Sequence, residues 1–321
     1  SAPCPTLPRF ADDIAHGVLF QRLKSITSIR ALLPLITVDC QQHNLNIRDS
    51  NNKITFTVTI LQCQPDKPAV EPPPKSVQLP INLLYARSVK GYPLPNKVLT
   101  SLLEEKFKLK TCKQNLLQRL TPWLTYAPGS HSDGFKPKLD KQQAAQLAAK
   151  AIYSELLDTI ELNENGIRED LDSEFLHNFR VAIRRTRSGL RYVEQVLPQP
   201  RVKRFSDEFA WLAGNTGRLR DLDVLLLKFD QYKAVLPSSL RPHLEPLREL
   251  VNQQRAPALE TVIKALNSKR YHTLKQEWRN YLSQEIVTDQ GCPLAREPII
   301  NVARADIWRS FQHIIKRGSK L

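Results

Sequence analysis

The segment HNFRVAIRRTRSGLR, residues 177–191, contains five arginines and one histidine but no acidic residue. At about 100° per residue, a helix places one line of cationic side chains along one face. This line, called the cationic stripe below, comprises His177, Arg180, Arg184, Arg187 and Arg191. The apolar residues Leu176, Phe179, Ile183 and Leu190 fall on the opposite face, where they can bury against neighbouring helices. The segment therefore predicts an amphipathic helix of a helical bundle.

The unmixed charge of this segment needs an explanation, because like charges at i,i+4 repel each other by about a few tenths of a kcal/mol. One reading is a solvated helix face, but such faces usually mix signs to gain ion pairs. The other is a face that meets an anion. Arginine favours phosphate, since its planar guanidinium donates two parallel hydrogen bonds. His177 alone would be read as a capping or core histidine, but beside four arginines we expect it to act as a further donor.

The rest of the C-terminal part has helical periodicity, and no strand pattern follows residue 140. Asp140, with Gln143 three residues later, predicts a capped helix through Ile160, and Asp172 or Ser173 predicts the cap of the next, which ends before Pro198. Further helices are expected at 203–213, 219–235, 243–266, 270–286 and 299–317. Residues 140–321 are thus predicted to form an all-α bundle.

The N-terminal part alternates instead with the period of a strand. In LNIRDSNNKITFTVTI, residues 45–60, every second residue from Ile54 to Ile60 is apolar, and DSNNK supplies a turn, so we expect a β-hairpin with that face buried. Residues 77–92 predict another strand of the same antiparallel sheet, and residues 96–120 predict a helix. The expected organisation is an α+β domain over 1–125, a linker over 126–139 and the helical domain.

A second charged cluster lies in GRLRDLDVLLLKFD, residues 217–230, where Arg218 and Arg220 stand next to Asp221 and Asp223. The two carboxylates could bind a metal, but acids beside arginines in a bundle more often orient them as ion pairs, which is the favoured interpretation. Arg270 and Lys316 are candidates for further cations of the same site. Lys269, His272, Lys275, Arg304, Arg309 and Arg317 lie near them in sequence.

The composition of the chain narrows the classes of molecule that it is expected to bind. A net charge of +15 and a pI near 9.7 attract polyanions, which include nucleic acid, anionic lipid and polyphosphate. No apolar run approaches the roughly 18 residues of a membrane span, so no membrane partner is expected. The five cysteines are scattered, without the Cys-x-x-Cys spacing of a zinc or redox site. With no signal peptide in view, we expect a cytoplasmic protein.

A resemblance is carried by His177, Arg180, Arg184, Arg185 and Arg187 in HNFRVAIRRTR, together with RDLDV at 220–224 and SKRY at 268–271. These residues resemble the first half of a CHAD domain, the conserved histidine α-helical domain. The resemblance covers about residues 140–321. It implies two related four-helix bundles around a basic pore that binds inorganic polyphosphate. The matching phosphate-contacting positions are His177, Arg180, Arg184, Arg187 and Arg220.

The family pattern includes a second basic helix, and no such copy occurs in these 321 residues. Half of the basic lining is therefore outside the sequence. A shortened chain, a second half not included here and a partner that completes the site all remain open.

The N-terminal part resembles, more weakly, the later strands of a CYTH domain, the triphosphate-tunnel fold. The similar pieces are PRFADDI at 8–14, IRALLPL at 29–35 and KGY at 90–92. That family holds a catalytic metal on a Glu-x-Glu-x-Lys strand, and the motif does not occur in this sequence. The sequence therefore gives no support for hydrolase activity and leaves it open, and no cofactor is expected; Mg²⁺ or Mn²⁺ would be required only if this part were active.

The function expected from these observations is binding of inorganic polyphosphate, with targeting to polyphosphate granules as an extension. The expected contacts are His177, Arg180, Arg184, Arg187, Arg191, Arg220, Arg270 and Lys316. Nucleic acid is a less favoured partner, because Tyr192 is the one aromatic residue at the edge of the stripe and single-strand binders interleave aromatics for stacking. A triphosphatase and a plain helical interaction domain are the remaining alternatives.

Overall fold

A computed structural model of the chain describes residues 8–14, 17–65, 80–92, 101–121, 124, 137–192, 195–286 and 291–318. The chain divides into two compact units. The sheet unit spans Leu33–Ser130, and the helical unit combines Ser1–Leu32 with His131–Leu321. The residues before Leu33 thus group with the helices, whereas the sequence placed them with the sheet. Of the predicted linker, residues 126–136 lie outside the described ranges.

The N-terminal segment of the helical unit contains a 3₁₀ turn at Ala11–Asp13 and the helix α1 at Val18–Thr27. Its attachment to the later helices is made by polar contacts. The Arg9 guanidinium donates to the backbone carbonyls of Asp170 and Leu171, and the Ala31 N–H donates to Asp172 Oδ2 at 2.8 Å. These bonds join residues more than 100 positions apart.

The sheet unit contains the predicted antiparallel sheet. Its strands are β1 (Val38–Arg48), β2 (Ile54–Pro65) and β3 (Ile81–Ser88), in the spatial order β1-β2-β3. The turn between β1 and β2 is built on Asp49, whose Oδ1 accepts the N–H groups of Asn51 and Lys53. Asn52 takes the left-handed conformation that asparagine tolerates in turns (φ 63°).

The buried face of β2 is not the predicted one. Ile54, Phe56 and Val58 are half-buried and Ile60 is exposed, whereas Cys63, of the opposite parity, is fully buried. The strand continues past Ile60, and its second half forms a core with β3 and a short helix, α2, at Leu116–Leu120. The members of that core are Cys63, Ile81, Leu83 and Leu120.

The predicted helix over 96–120 is wrong in extent. Residues 96–100 lie outside the described ranges, and the remainder holds a π-helical turn at Leu102–Lys106 and the five-residue α2. Residues 108–113 between them are irregular. Helix α2 starts at a capping box, in which the side chains and N–H groups of Asn115 and Gln118 bond reciprocally.

The remaining helices of the helical unit confirm the all-α prediction for the C-terminal part. They are α3 (Ala145–Arg168), α4 (Ser173–Leu190), α5 (Gln199–Val235), α6 (Glu245–Leu266), α7 (Lys269–Leu282) and α8 (Ile299–Gly318), with a 3₁₀ turn at Arg241–Leu244. Helix α4 packs between α3 and α5. Asp140 does not cap α3; it forms a turn that precedes the helix, with its Oδ1 accepting the Gln142 N–H.

Helix α5 is continuous where the sequence predicted a break between 213 and 219. Gly-Asn-Thr-Gly at 214–217 has low helix propensity, but side chains bond the carbonyls of this turn. The Asn215 amide donates to the Trp211 carbonyl, and the Thr216 hydroxyl lies 3.0 Å from the Ala213 carbonyl. Arg180 of α4 also donates to the Ala213 carbonyl and to Thr216 Oγ1, so a tertiary contact holds this turn as well.

The core of the helical unit is centred on Trp278 of α7, which is buried among four aromatic rings. Their centroids lie 4.4–5.8 Å from its own. These rings belong to Tyr153, Phe205, Phe209 and Tyr281. Because they come from α3, α5 and α7, the cluster fixes these three helices against one another.

Candidate functional site

Helix α4 carries the cationic stripe, and its start is fixed by a side-chain cap. Asp172 Oδ1 accepts the N–H groups of Glu174 and Phe175, as the sequence predicted for one of the two candidate caps. The apolar face is buried as expected, with at most 2% exposure at Leu176, Phe179, Ile183 and Leu190. The cationic side is therefore turned away from the core of the bundle.

The stripe is not uniformly accessible. His177, Arg180 and Arg187 are half-buried, whereas Arg184 and Arg191 are exposed. Accessibility therefore varies from residue to residue along the stripe, with the half-buried Arg187 between the exposed Arg184 and Arg191.

Arg180 joins α4 to α5. Its Nη1 donates to the Ala213 carbonyl at 3.0 Å and to Thr216 Oγ1 at 2.7 Å. Burial lowers the pKa of Arg180; the charges of Arg220 and Arg184 lower it further, and Asp221 opposes them. The hydrogen bonds of Arg180 therefore hold α4 against α5. The charges of other predicted site residues shift its pKa.

Among the described residues, three other arginines of the stripe have no carboxylate to neutralise them. Within the part of the chain that the structure describes, the side chains of Arg184, Arg187 and Arg191 form no hydrogen bond or ion pair. The Nε of Arg187 is buried and has no partner there. Since a buried donor without an acceptor is destabilising, this atom is suited to receive a ligand oxygen.

Arg220 lies on α5 and faces the first turn of α4. Its Nη1 donates to the Ser173 carbonyl at 3.2 Å and lies 4.0 Å from Glu174 Oε1. Arg30, from the N-terminal segment, lies 3.6 Å from the other oxygen of Glu174. The carboxylate therefore holds two cations at the beginning of the stripe.

The two aspartates beside Arg220 have different surroundings. Asp221 is exposed, and its charge acts on Arg180. Asp223 is 3% exposed, and its Oδ1 accepts a hydrogen bond from Arg255 Nε at 2.8 Å. Burial raises the pKa of Asp223, although Arg255 pulls it down.

Arg255 was missed by the sequence reasoning. It lies on α6 and also makes two hydrogen bonds, of 2.7 and 2.6 Å, to the carboxylate of Asp170 in the turn before α4. These bonds raise its pKa. The residue joins the turn, α5 and α6, and no feature of its own segment, QQRAPALE, indicates that role.

The other predicted cations do not all reach the stripe. Arg270 makes two hydrogen bonds to Glu208, of 2.8 and 3.1 Å, and its guanidinium stacks 4.3 Å from the Trp211 ring centroid. Lys275 is bound at 2.6 Å by Glu164, a buried acid that the sequence reasoning missed. Lys316 is exposed near the end of α8.

Two observations concern metals and membranes. Among the described residues, no group of three or more His, Cys, Asp or Glu side chains is arranged to hold a metal ion. The helices described here include none that combines the length and apolarity of a membrane span.

The polar face of the sheet bonds largely to itself. Thr57 and Thr59 donate to the side-chain oxygens of Asn46 and Asn44, at 3.0 and 2.8 Å. Arg48 donates to the Asn52 carbonyl. The CYTH resemblance of this unit stays a prediction.

Comparison with known proteins gives the same family as the stripe did. The family model described as the CHAD domain matches residues 151–321, more than half of the chain. Among solved structures, the crystal structure of the CHAD domain from the plant Ricinus communis is similar, with 26% sequence identity and a TM-score of 0.48. The similarity covers 58% of this chain and 60% of that one, so the chain spans less than two thirds of that relative. No curated protein matches the chain.

Proposed function

The chain belongs to the CHAD domain family, and from that premise we propose that its helical unit binds inorganic polyphosphate along the cationic stripe. In this proposal Arg184, Arg187 and Arg191 contact the phosphates directly, with His177 as a further donor. Arg220 and Arg180 add positive charge at the beginning of α4.

The observation that carries the proposal is a contrast within the bundle. Elsewhere in the bundle, six half-buried or exposed cations are neutralised by carboxylates from other helices or turns. Such pairs are made by Arg204, Arg248, Arg255, Arg270, Lys275 and Arg279. Arg184, Arg187 and Arg191 have no such partner in the described ranges. Because like charges repel along α4, an external anion is the natural counterpart of this face.

Phosphate without bases is favoured over nucleic acid by the position of the aromatic residues. Phe179 is fully buried on the opposite face of α4. Tyr192 is exposed but lies beyond the end of the helix. A run of stacked bases needs aromatic platforms spread along the groove, and α4 offers cations alone on that side.

The test compares long-chain polyphosphate with single- and double-stranded DNA at one fixed salt concentration, by titration of the full chain. In Arg184→Gln with Arg187→Gln, we expect polyphosphate binding to weaken about 10- to 100-fold. This follows from about 1.5–3 kcal/mol per charge-assisted hydrogen bond, reduced by salt screening, with 1.4 kcal/mol per tenfold.

The control removes the same charge elsewhere. Lys264→Gln with Arg279→Gln lowers the net charge by the same amount at side chains that already have acidic partners. Its affinity should stay within about threefold of the parent, because these two side chains lie outside the stripe and their charges are already offset by carboxylates. Equal weakening in the two double variants, or equal affinity of the parent for DNA and polyphosphate, would overturn the proposal. The slope of log affinity against log salt should also become shallower by about one for each phosphate that a replaced arginine had neutralised.

Binding of polyphosphate would also determine where the protein is found in the cell. A chain that holds polyphosphate along α4 should collect on polyphosphate granules in the cytoplasm. A fluorescent fusion should coincide with the granules, and the fusion carrying Arg184→Gln with Arg187→Gln should be diffuse. Granule localisation of both would show that the stripe does not direct it.

A further inference from the structure

Two cysteines of the sheet unit face each other across neighbouring strands. Cys40 of β1 and Cys63 of β2 are direct partners in the antiparallel register. Their Sγ atoms lie 2.9 Å apart, although 23 positions separate the residues in sequence. Cysteine spacing along the chain did not suggest any redox pair, and the register creates one.

The two thiols have different access to solvent. Cys40 is exposed, whereas Cys63 is fully buried in the core with Ile81, Leu83 and Leu120. Burial, followed by the contact with Cys40, raises the pKa of the Cys63 thiol to about 11. A soluble oxidant can therefore meet Cys40 first, while Cys63 is placed to react only with its neighbour.

We propose that Cys40 and Cys63 are a reversible thiol–disulfide pair, oxidised by low-molecular-weight disulfides of the glutathione class. In the first step the Cys40 thiolate attacks one sulfur of the oxidised glutathione, forming a mixed disulfide and releasing one glutathione thiolate. In the second step Cys63, after losing its proton to solvent, attacks Cys40 Sγ and releases the second glutathione thiolate. Two protein thiols lose two electrons and two protons, and one glutathione disulfide becomes two thiols.

The product would connect β1 to β2. The direct cross-strand position lies within the distance over which disulfides form without backbone movement. Because β2 is the central strand of the sheet, the bond would fix the register of the hairpin and leave the cationic stripe chemically unchanged. This proposal is thus independent of the proposed function.

The test treats the folded full chain with oxidised glutathione, blocks the remaining thiols and maps tryptic peptides without reduction. The five cysteines fall in five different tryptic peptides. The expected product is a cross-link between residues 31–48 and 54–75, within one chain and reversed by dithiothreitol. The same treatment in denaturant should distribute disulfides among all five cysteines.

Two variants make the result specific. Cys112→Ser removes another exposed thiol of the sheet unit and should leave the cross-link unchanged. Cys40→Ser should abolish it and leave Cys63 unmodified in the folded chain. A stable glutathione adduct on Cys40 without the cross-link would overturn the proposal, as would equal cross-linking of Cys40 to Cys112. The second step should also accelerate as the pH rises, because it requires the Cys63 thiolate.

Discussion

Substitution of Arg255 by methionine tests the polar network behind the stripe. Arg255 is the one hydrogen-bond donor found for the Asp223 carboxylate among the described residues, and Asp223 Oδ2 has none. Methionine keeps much of the side-chain volume of arginine but leaves the carboxylate buried and unpaired. The bond to Asp170 contributes less, because that carboxylate is 39% exposed and screened by solvent.

The expected cost follows from these environments. Removing one member of a buried ion pair destabilises a protein by about 3–5 kcal/mol. With one half-exposed partner in the network, we expect about 3 kcal/mol in the free energy of unfolding. For a slope of about 2–3 kcal/mol per molar urea, the midpoint should fall by about 1–1.5 M. The urea midpoint can be measured by far-UV circular dichroism, since the helical unit dominates the signal.

The pH dependence identifies the cause. Without Arg255, the pKa of Asp223 rises further above its ordinary value, because burial is no longer opposed by an ion pair. A carboxyl whose folded pKa lies above its unfolded pKa is destabilising while charged, and this cost fades as the pH falls through the folded pKa. The defect of Arg255→Met should therefore be smaller at about pH 5 than at about pH 8.

Two comparisons can refute this reasoning. Adding Asp223→Leu to Arg255→Met should recover about 2 kcal/mol, because the stranded charge is replaced by an apolar side chain. Arg279→Met breaks an exposed ion pair and should cost less than about 1 kcal/mol. A pH-independent defect, or a double variant no more stable than Arg255→Met, would show that Asp223 is not its source.

Three further predictions concern the same helices, each read by urea unfolding. Gly166→Ala would place Cβ 2.1 Å from the ring of Phe175 and should cost about 1–3 kcal/mol, whereas Gly214→Ala meets nothing within 4 Å and should not destabilise. Asp172→Ala removes the cap of α4 and the acceptor of the Ala31 N–H and should cost about 1–2 kcal/mol, whereas Asp172→Asn keeps one acceptor oxygen and should cost less. Burial raises the pKa of Glu164, but hydrogen bonds from three side chains leave it below its ordinary value. The stability it provides is lost as the pH falls through that depressed pKa, so Glu164→Gln should be destabilised at neutral pH and approach the parent in acid.

The features that sequence predicted well are local. The cationic and apolar faces of α4 follow from the helical period, and the Asp172 cap follows from two neighbouring N–H groups. The antiparallel hairpin follows from alternation around a turn-forming segment. In each case the residues that decide the structure lie within one or two turns, or one hairpin, of one another.

The features that sequence did not predict depend on distant partners. Arg270 and Glu208 are 62 positions apart, and Lys275 and Glu164 are 111 apart. Nothing in the sequence around Arg270 and Lys275 shows that these two cations are already neutralised. Likewise, which of the alternating side chains of β2 are buried depends on residues outside the strand, in α2 and β3. The sequence pattern of a segment predicts which of its faces is apolar and which is polar, whereas the tertiary fold determines which residues pack against each face.

The arginines that looked equivalent in sequence therefore divide into two groups. Arg180 is bonded to the carbonyl and hydroxyl groups of α5, in the turn that was expected to break. Its replacement would loosen the α4–α5 packing as well as remove charge, so weaker binding in such a variant could not be assigned to a phosphate contact. The side chains of Arg184 and Arg187 make no such bonds among the described residues, and their replacement removes charge with little structural cost. In the proposed complex, Arg180 is already held by α5, whereas Arg184 and Arg191 are exposed and lose side-chain freedom when the anion binds, which is an ordering cost of binding.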